Sequence, residues 1–116
     1  GVVINGQSTV SNPDLEATNG TIHVVNTVID LPTIATFAIA NPALSNLVAA
    51  LANADSGTPT VPWIDTVSDA EAGPFTVFAP TNGAFGDVLA ELSLTGFGEG
   101  EGELNAATTD TVLTYH

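Results

Sequence analysis

Hydrophobic positions follow two rhythms along this chain, and the change from one to the other comes at Pro32. Before it, β-branched runs are broken by turn-forming dipeptides. Val2 to Ile4 and Gln7 to Val10 flank Asn5-Gly6, whose tolerance of positive φ suits the tight turn of a hairpin. Ser11-Asn12-Pro13-Asp14 is dense in turn formers and is expected to end the second strand. Leu15 to Thr18 then reads as a short extended piece, with another turn at Asn19-Gly20. From Thr21 to Leu31 the run TIHVVNTVIDL carries apolar residues on both parities, Ile22, Val24 and Val28 on one, Val25 and Ile29 on the other. That pattern predicts an interior strand, covered on both faces and ended by Pro32.

After Pro32 the period lengthens. Thr33 is placed to cap a helix running to about Ala40, and Asn41-Pro42 puts a capping side chain before a proline at the first position of a second helix. Leu44, Leu47, Val48 and Leu51 form that helix's apolar stripe. A Ser/Gly/Thr/Pro loop from Asn53 to Pro62 follows, then a short packed element at Trp63 to Val67 within an excursion reaching Gly73. Phe75 to Ala79 reads as a short buried strand stopped by Pro80. Thr81 and Asn82 are helix N-caps, with Phe85, Val88, Leu89 and Leu92 at helical spacing behind them. Leu94 to Glu103, LTGFGEGEGE, is too rich in glycine for regular structure. Asn105 or Thr109 starts a last helix carrying Val112, Leu113 and Tyr115.

Composition narrows the chemistry. The 116 residues suffice for one domain that buries about two thirds of its unfolded surface. No apolar run approaches the roughly 20 residues of a bilayer span, and any secretion signal is expected outside this sequence. Thirteen acidic residues face no Lys and no Arg, so His23 and His116 are the only side chains able to turn cationic. Such a field disfavours nucleic acid and anionic lipid as partners, and it predicts a fold that gains stability from salt or Ca²⁺. Without Cys or Met there are no disulfides, no thiol catalysis and no soft-metal site. That lack leaves little to oxidise, and the absence of Lys and Arg leaves nothing for a trypsin-like protease to cut, which suits an extracellular material.

The candidate residues are few, and each has a plain structural role. His23 is expected as a partly buried imidazole bonded to backbone rather than a ligand, since no second histidine lies near it. Glu99, Glu101 and Glu103 alternate with glycines and are weak candidates for a Ca²⁺ site, lacking the spacing of a calcium loop. Asn19-Gly20-Thr21 fits the N-glycosylation pattern, with turn formation as its first role. Trp63, Phe97 and Tyr115 are sugar-stacking candidates, with separate core roles as the simpler expectation. No paired acids, nucleophile with base, or phosphate loop stands out, so the expectation is a protein that is not an enzyme.

Four segments share a further property. FTVFAPTNGAF, Phe75 to Phe85, resembles almost letter for letter the FTVFAPTNxAF motif of the fasciclin domain family. EATNGTIHVVNTVIDLP, Glu16 to Pro32, resembles that family's ATNG-type strand, ANPALSNLVAAL, Ala40 to Leu51, its opening helices, and VLTYH, Val112 to His116, its Tyr-His segment. The resemblance implies an α+β fold, a fasciclin-like β-sandwich wedge with packed α-helices. The order departs from the family's, because the part that closes a fasciclin domain comes first here. Residues 1–32 resemble the tail of one such domain and residues 33–116 the head of the next. A window across two tandem repeats, a permuted domain, and a subunit that completes domains with neighbouring copies all fit that order.

By the same resemblance, Tyr115-His116 and the pair Asp14-Leu15 occupy positions linked to adhesion, although Tyr115 as core packing and Asp14-Leu15 as turn plus core anchor are the simpler roles. The function it implies is a non-enzymatic extracellular or cell-surface adhesion or structural protein. Its partners would be other copies, neighbouring repeats, surface proteins or polysaccharide, and head-to-tail assembly would give a filament. The alternative is a surface module that binds polysaccharide or calcium.

Overall fold

The computed structural model describes all residues, 1–116. Strands and helices segregate along the chain: three strands lie before Pro32, and every helix lies after it. The strands are β1 (Val3–Ile4), β2 (Ser8–Ala17) and β3 (Gly20–Val25), antiparallel in the order β1-β2-β3. The helices are α1 (Ile34–Ala40), α2 (Ser45–Asp55), α3 (Trp63–Ser68), α4 (Asn82–Glu91) and α5 (Ala106–Thr114). A two-residue parallel ladder, β4 (Gly96–Phe97) with β5 (Glu103–Leu104), sits before α5. The molecule is therefore mixed α+β, as expected. Its strands make a projecting arm and a small ladder.

Local chemistry sets the helix starts. The Thr33 hydroxyl accepts from the Thr36 N–H while Thr36 Oγ1 accepts from the Thr33 N–H, a reciprocal cap on α1. Asn41 Oδ1 accepts from Ala43 N–H at the 3-10 turn Pro42–Leu44 that leads into α2. Thr81 caps α4 and Asn105 caps α5 in the same way. Helix α3 has no cap of its own. Asp55, at the end of α2, accepts from the N–H groups of Trp63 and Ile64 at 2.8 and 2.9 Å and so supplies it from a distance.

The core lies where these helices meet on α2: Leu47, Ala50, Leu51 and Ala54 pack with Phe85 and Leu113. Leu47 and Leu51 of the expected stripe are buried there, and the ring of Phe97 meets Phe85 edge to face at 5.5 Å. Two polar ties reinforce it. Asn53 Nδ2 donates to the Leu104 carbonyl and to Thr109 Oγ1, bridging α2 to α5, and Asn82 accepts from Asn46 N–H while donating to the Pro42 carbonyl and Ser45 Oγ. Asn82 thus serves as an interhelix tie, with Thr81 alone as the cap.

Several expectations are corrected. Ser11 to Asp14 does not end the second strand. β2 runs on to Ala17, absorbing Pro13 and a positive φ of 55° at Asp14 through two breaks in register. The strand expected to Leu31 stops at Val25 and lies at an edge. There Asn26 folds back, its Oδ1 accepting from Thr9 N–H, and the buried Ser8 hydroxyl donates to the Thr27 carbonyl at 2.6 Å. The glycine-rich stretch does hold the short β4–β5 ladder, because Glu103 Oε2 and Glu99 Oε1 accept from Gly100 and Ala106 N–H. Phe75 to Ala79 is not a buried strand: it has no sheet partner and is exposed throughout.

The arm gives the molecule its shape. It reaches 63 Å in its longest dimension with a radius of gyration of 18.1 Å, where a compact chain of this length has about 13 Å. Only 12 of 116 residues are buried, and Ser8 is the single one of them before Pro32. The accessible surface is 7529 Å², whereas a compact monomer of 11.7 kDa exposes about 5,900 Å² and its unfolded chain about 17,000 Å². Burial on folding is therefore nearer about 55% than the expected two thirds.

Candidate functional site

The segment Phe75 to Ala79 lies against the helical body outside any helix or sheet. Phe75, Val77 and Ala79, two residues apart, line one trough, while Thr76 lies on the opposite parity. Phe78 N–H donates to the His116 carbonyl at 2.8 Å, and the Phe78 carbonyl lies 3.0 Å from His116 Nδ1. No other backbone N–H or carbonyl from Phe75 to Ala79 has a partner within the chain. The segment is bonded at one residue and otherwise open.

The trough beside it measures ≈ 240 Å³, and all of its lining is apolar. Its floor comes from α1 and the start of α2, which meet at 104°: Ile34, Phe37, Ala38, Leu44 and Leu47. Phe37 is 52% exposed in it. No Asp or Glu occurs from Leu31 to Ala54 or from Ala72 to Gly86, so this face is built from stretches free of charge in a chain of net charge −13.

In the arm, β3 is an outer strand whose far edge is unpaired. Ile22 and Val24 share one face of it, with Leu15 of β2 opposite Ile22, and all three are exposed. Leu15 is therefore not the core anchor expected. Asp14 is exposed in β2; its N–H donates to His23 Nδ1 at 3.1 Å, so His23 is bonded to backbone as expected, but it is exposed rather than partly buried.

Asp14-Leu15 lies in the arm and Tyr115-His116 at the end of α5, so the two adhesion candidates fall on separate parts of the structure. Tyr115 is 84% exposed, contrary to its expected place in the core. Trp63 donates to Asp110, Phe97 packs on Phe85 and Tyr115 faces solvent, so the three aromatics form no shared platform. Asn19 is exposed at its turn. No group of three or more His, Asp or Glu converges in a geometry fit for a metal ion; Glu99 and Glu103 are turned to backbone N–H groups.

Comparison with models of known protein families, with curated proteins and with solved structures finds no match. The molecule's own geometry therefore has to carry the functional reading. No single helix is long and apolar enough to cross a membrane.

Sequence reasoning missed Asp110. Its carboxylate, 8% exposed, accepts from Trp63 Nε1 at 2.6 Å and from the Thr60 N–H and hydroxyl at 3.2 Å. The available signal was its place among Ala106, Thr109 and Leu113, one acid on the buried stripe of α5.

Proposed function

We propose that this chain is a non-enzymatic structural or adhesive unit of an extracellular or cell-surface material, and that it assembles head-to-tail with other copies of itself. The observation that carries the reading is the surface it leaves uncovered. The excess over a compact monomer is roughly 1,600 Å², and a standard interface takes about 800 Å² from each partner. A chain that gives one such patch at its arm and another at its helical body accounts for that excess.

The two ends differ in kind, so the contact is heterologous and propagates as a filament rather than closing as a dimer. Fasciclin-like architecture belongs to the same proposal: the wedge implied by the motif resemblance would be completed where the arm of one unit meets the body of the next. The charge supports the surroundings proposed. Thirteen carboxylates without a basic residue keep assembled units apart laterally, and the absence of Cys, Met, Lys and Arg suits an oxidising, protease-rich exterior.

The test is sedimentation velocity and negative-stain microscopy of the purified chain over a wide concentration range. Elongated, concentration-dependent polymers in the absence of any added ligand are expected. A monomer at every concentration, in low and high salt, overturns the proposal. Saturable binding of a polysaccharide or Ca²⁺ by that monomer would replace it with a ligand-binding module.

A further inference from the structure

Building on the self-assembly reading, we propose the contact itself: β3 of one copy adds as a strand to the open edge of Phe75–Ala79 in the next, laying Ile22 and Val24 into the trough over α1. Each part of this follows from a different observation.

The receiving edge is defined by what is already used. Phe78 exchanges its bonds with His116. Alternate residues of an extended strand direct their peptide groups to opposite sides, so in the proposed pairing Val77 and Ala79 present theirs away from His116. Their N–H and carbonyl groups have no partner in the chain.

The donating edge is chosen by elimination within the arm, where β1 at the opposite edge is only two residues long. The outer edge of β2 beyond Val10 is broken in register, lacks an N–H at Pro13, turns to positive φ at Asp14 and carries Glu16. β3, GTIHVV, is regular, uncharged and free of proline. Its six residues span about 20 Å against about 17 Å for the five of the open strand, so the lengths match.

The faces then agree. Phe75, Val77 and Ala79 look into the trough, and a strand added beside them in sheet register puts Ile22 and Val24 on the same side, above Phe37. Sheet over helix covers both apolar surfaces at once. Neither strand nor trough contains an acid, and the acids beside the donated strand are Asp14 and Glu16 of β2.

The native chain has no cysteine, so introduced ones report only the contact probed. Thr21→Cys in one preparation is mixed with Thr76→Cys or Phe78→Cys in another, the two acceptor positions covering the two neighbouring registers. Thr21→Cys with Ala90→Cys on the exposed side of α4 is the control. All four positions are exposed, and mild oxidation under assembly conditions is read by non-reducing electrophoresis. Cross-linked heterodimer in at least one of the first two mixtures, at ten or more times the control yield, is expected. Polymers that form with no cross-link above control overturn the strand pairing and leave the self-assembly reading standing. A chain that stays monomeric in every mixture overturns both.

Discussion

Replacing Asp110 with Ala should destabilise the helical body by about 3 kcal/mol, and the sign of the effect is a contest between two terms. A hydrogen bond to a charged acceptor carries about 1.5–3 kcal/mol, and Asp110 receives one from the half-buried indole of Trp63 and two from Thr60. Thr60 is exposed, so water replaces most of what it loses, and the indole bond dominates. Against this stands relief from repulsion. Two like charges 15 Å apart in water repel by about 0.3 kcal/mol before screening, and a Debye length near 8 Å at physiological salt reduces that to below about 0.1. Thirteen acids less one leaves twelve others, so removing the charge returns about 0.5 kcal/mol in total. The hydrogen bonds win by a wide margin. Urea unfolding followed through Trp63, the single tryptophan, measures the difference directly, and the melting temperature of the helical body should fall by roughly 15 °C. Asp110→Asn, which keeps an acceptor oxygen, should lose about half as much. If either variant matches or exceeds the parent in stability at physiological salt, charge relief outweighs the bonds and the reasoning fails.

Ser8→Ala removes a buried hydroxyl that bridges Thr27 on both its carbonyl and N–H, and about 1–2 kcal/mol of local protection should vanish from Thr9, Asn26 and Thr27 in hydrogen exchange while α2 is unchanged. Gly6→Ala has no room, since a Cβ there comes 2.4 Å from Ala40 Cβ at a φ of +65°; the turn should lift from α1, seen as a larger radius of gyration in solution scattering. Asn82→Ala cuts the tie between the starts of α2 and α4 and should lower stability by about 2 kcal/mol in urea, with the cap at Thr81 intact. The melting temperature of the parent should rise with salt and with millimolar-range Ca²⁺ through general screening, and identical values across those conditions would refute a repulsive charge term.

What was legible in the sequence was local. The caps at Thr33, Asn41, Thr81 and Asn105 and the positive φ at Asn5 and Gly6 each depend on a few neighbouring residues, and each is where the pattern put it. What was not legible depends on distant partners. Phe75 to Ala79 has the composition of a strand, but burial of a strand needs a neighbour, and this chain supplies only His116 beside Phe78. The run from Thr21 reads as interior for the same reason, although its outer edge is open. Pro13 within β2 shows that turn chemistry yields to pairing when a bulge can absorb it. Asp110 and Asp55 were hidden among thirteen acids because their donors lie 8 to 50 residues away. Of the candidate site, the residues were in view and the trough between them was not.

The division at Pro32 bears on how the molecule melts. The arm touches the body where Gly6 meets Ala40, the clips from Ser8 to Thr27 and Gln7 to Asp30 both lie before Pro32, and the arm has no apolar interior of its own. Two regions so weakly coupled are separate cooperative units, and the arm opens at a lower temperature than the helices. Calorimetry of dilute protein should then show a broad early transition ahead of a sharper one, and no single unfolding free energy describes the chain.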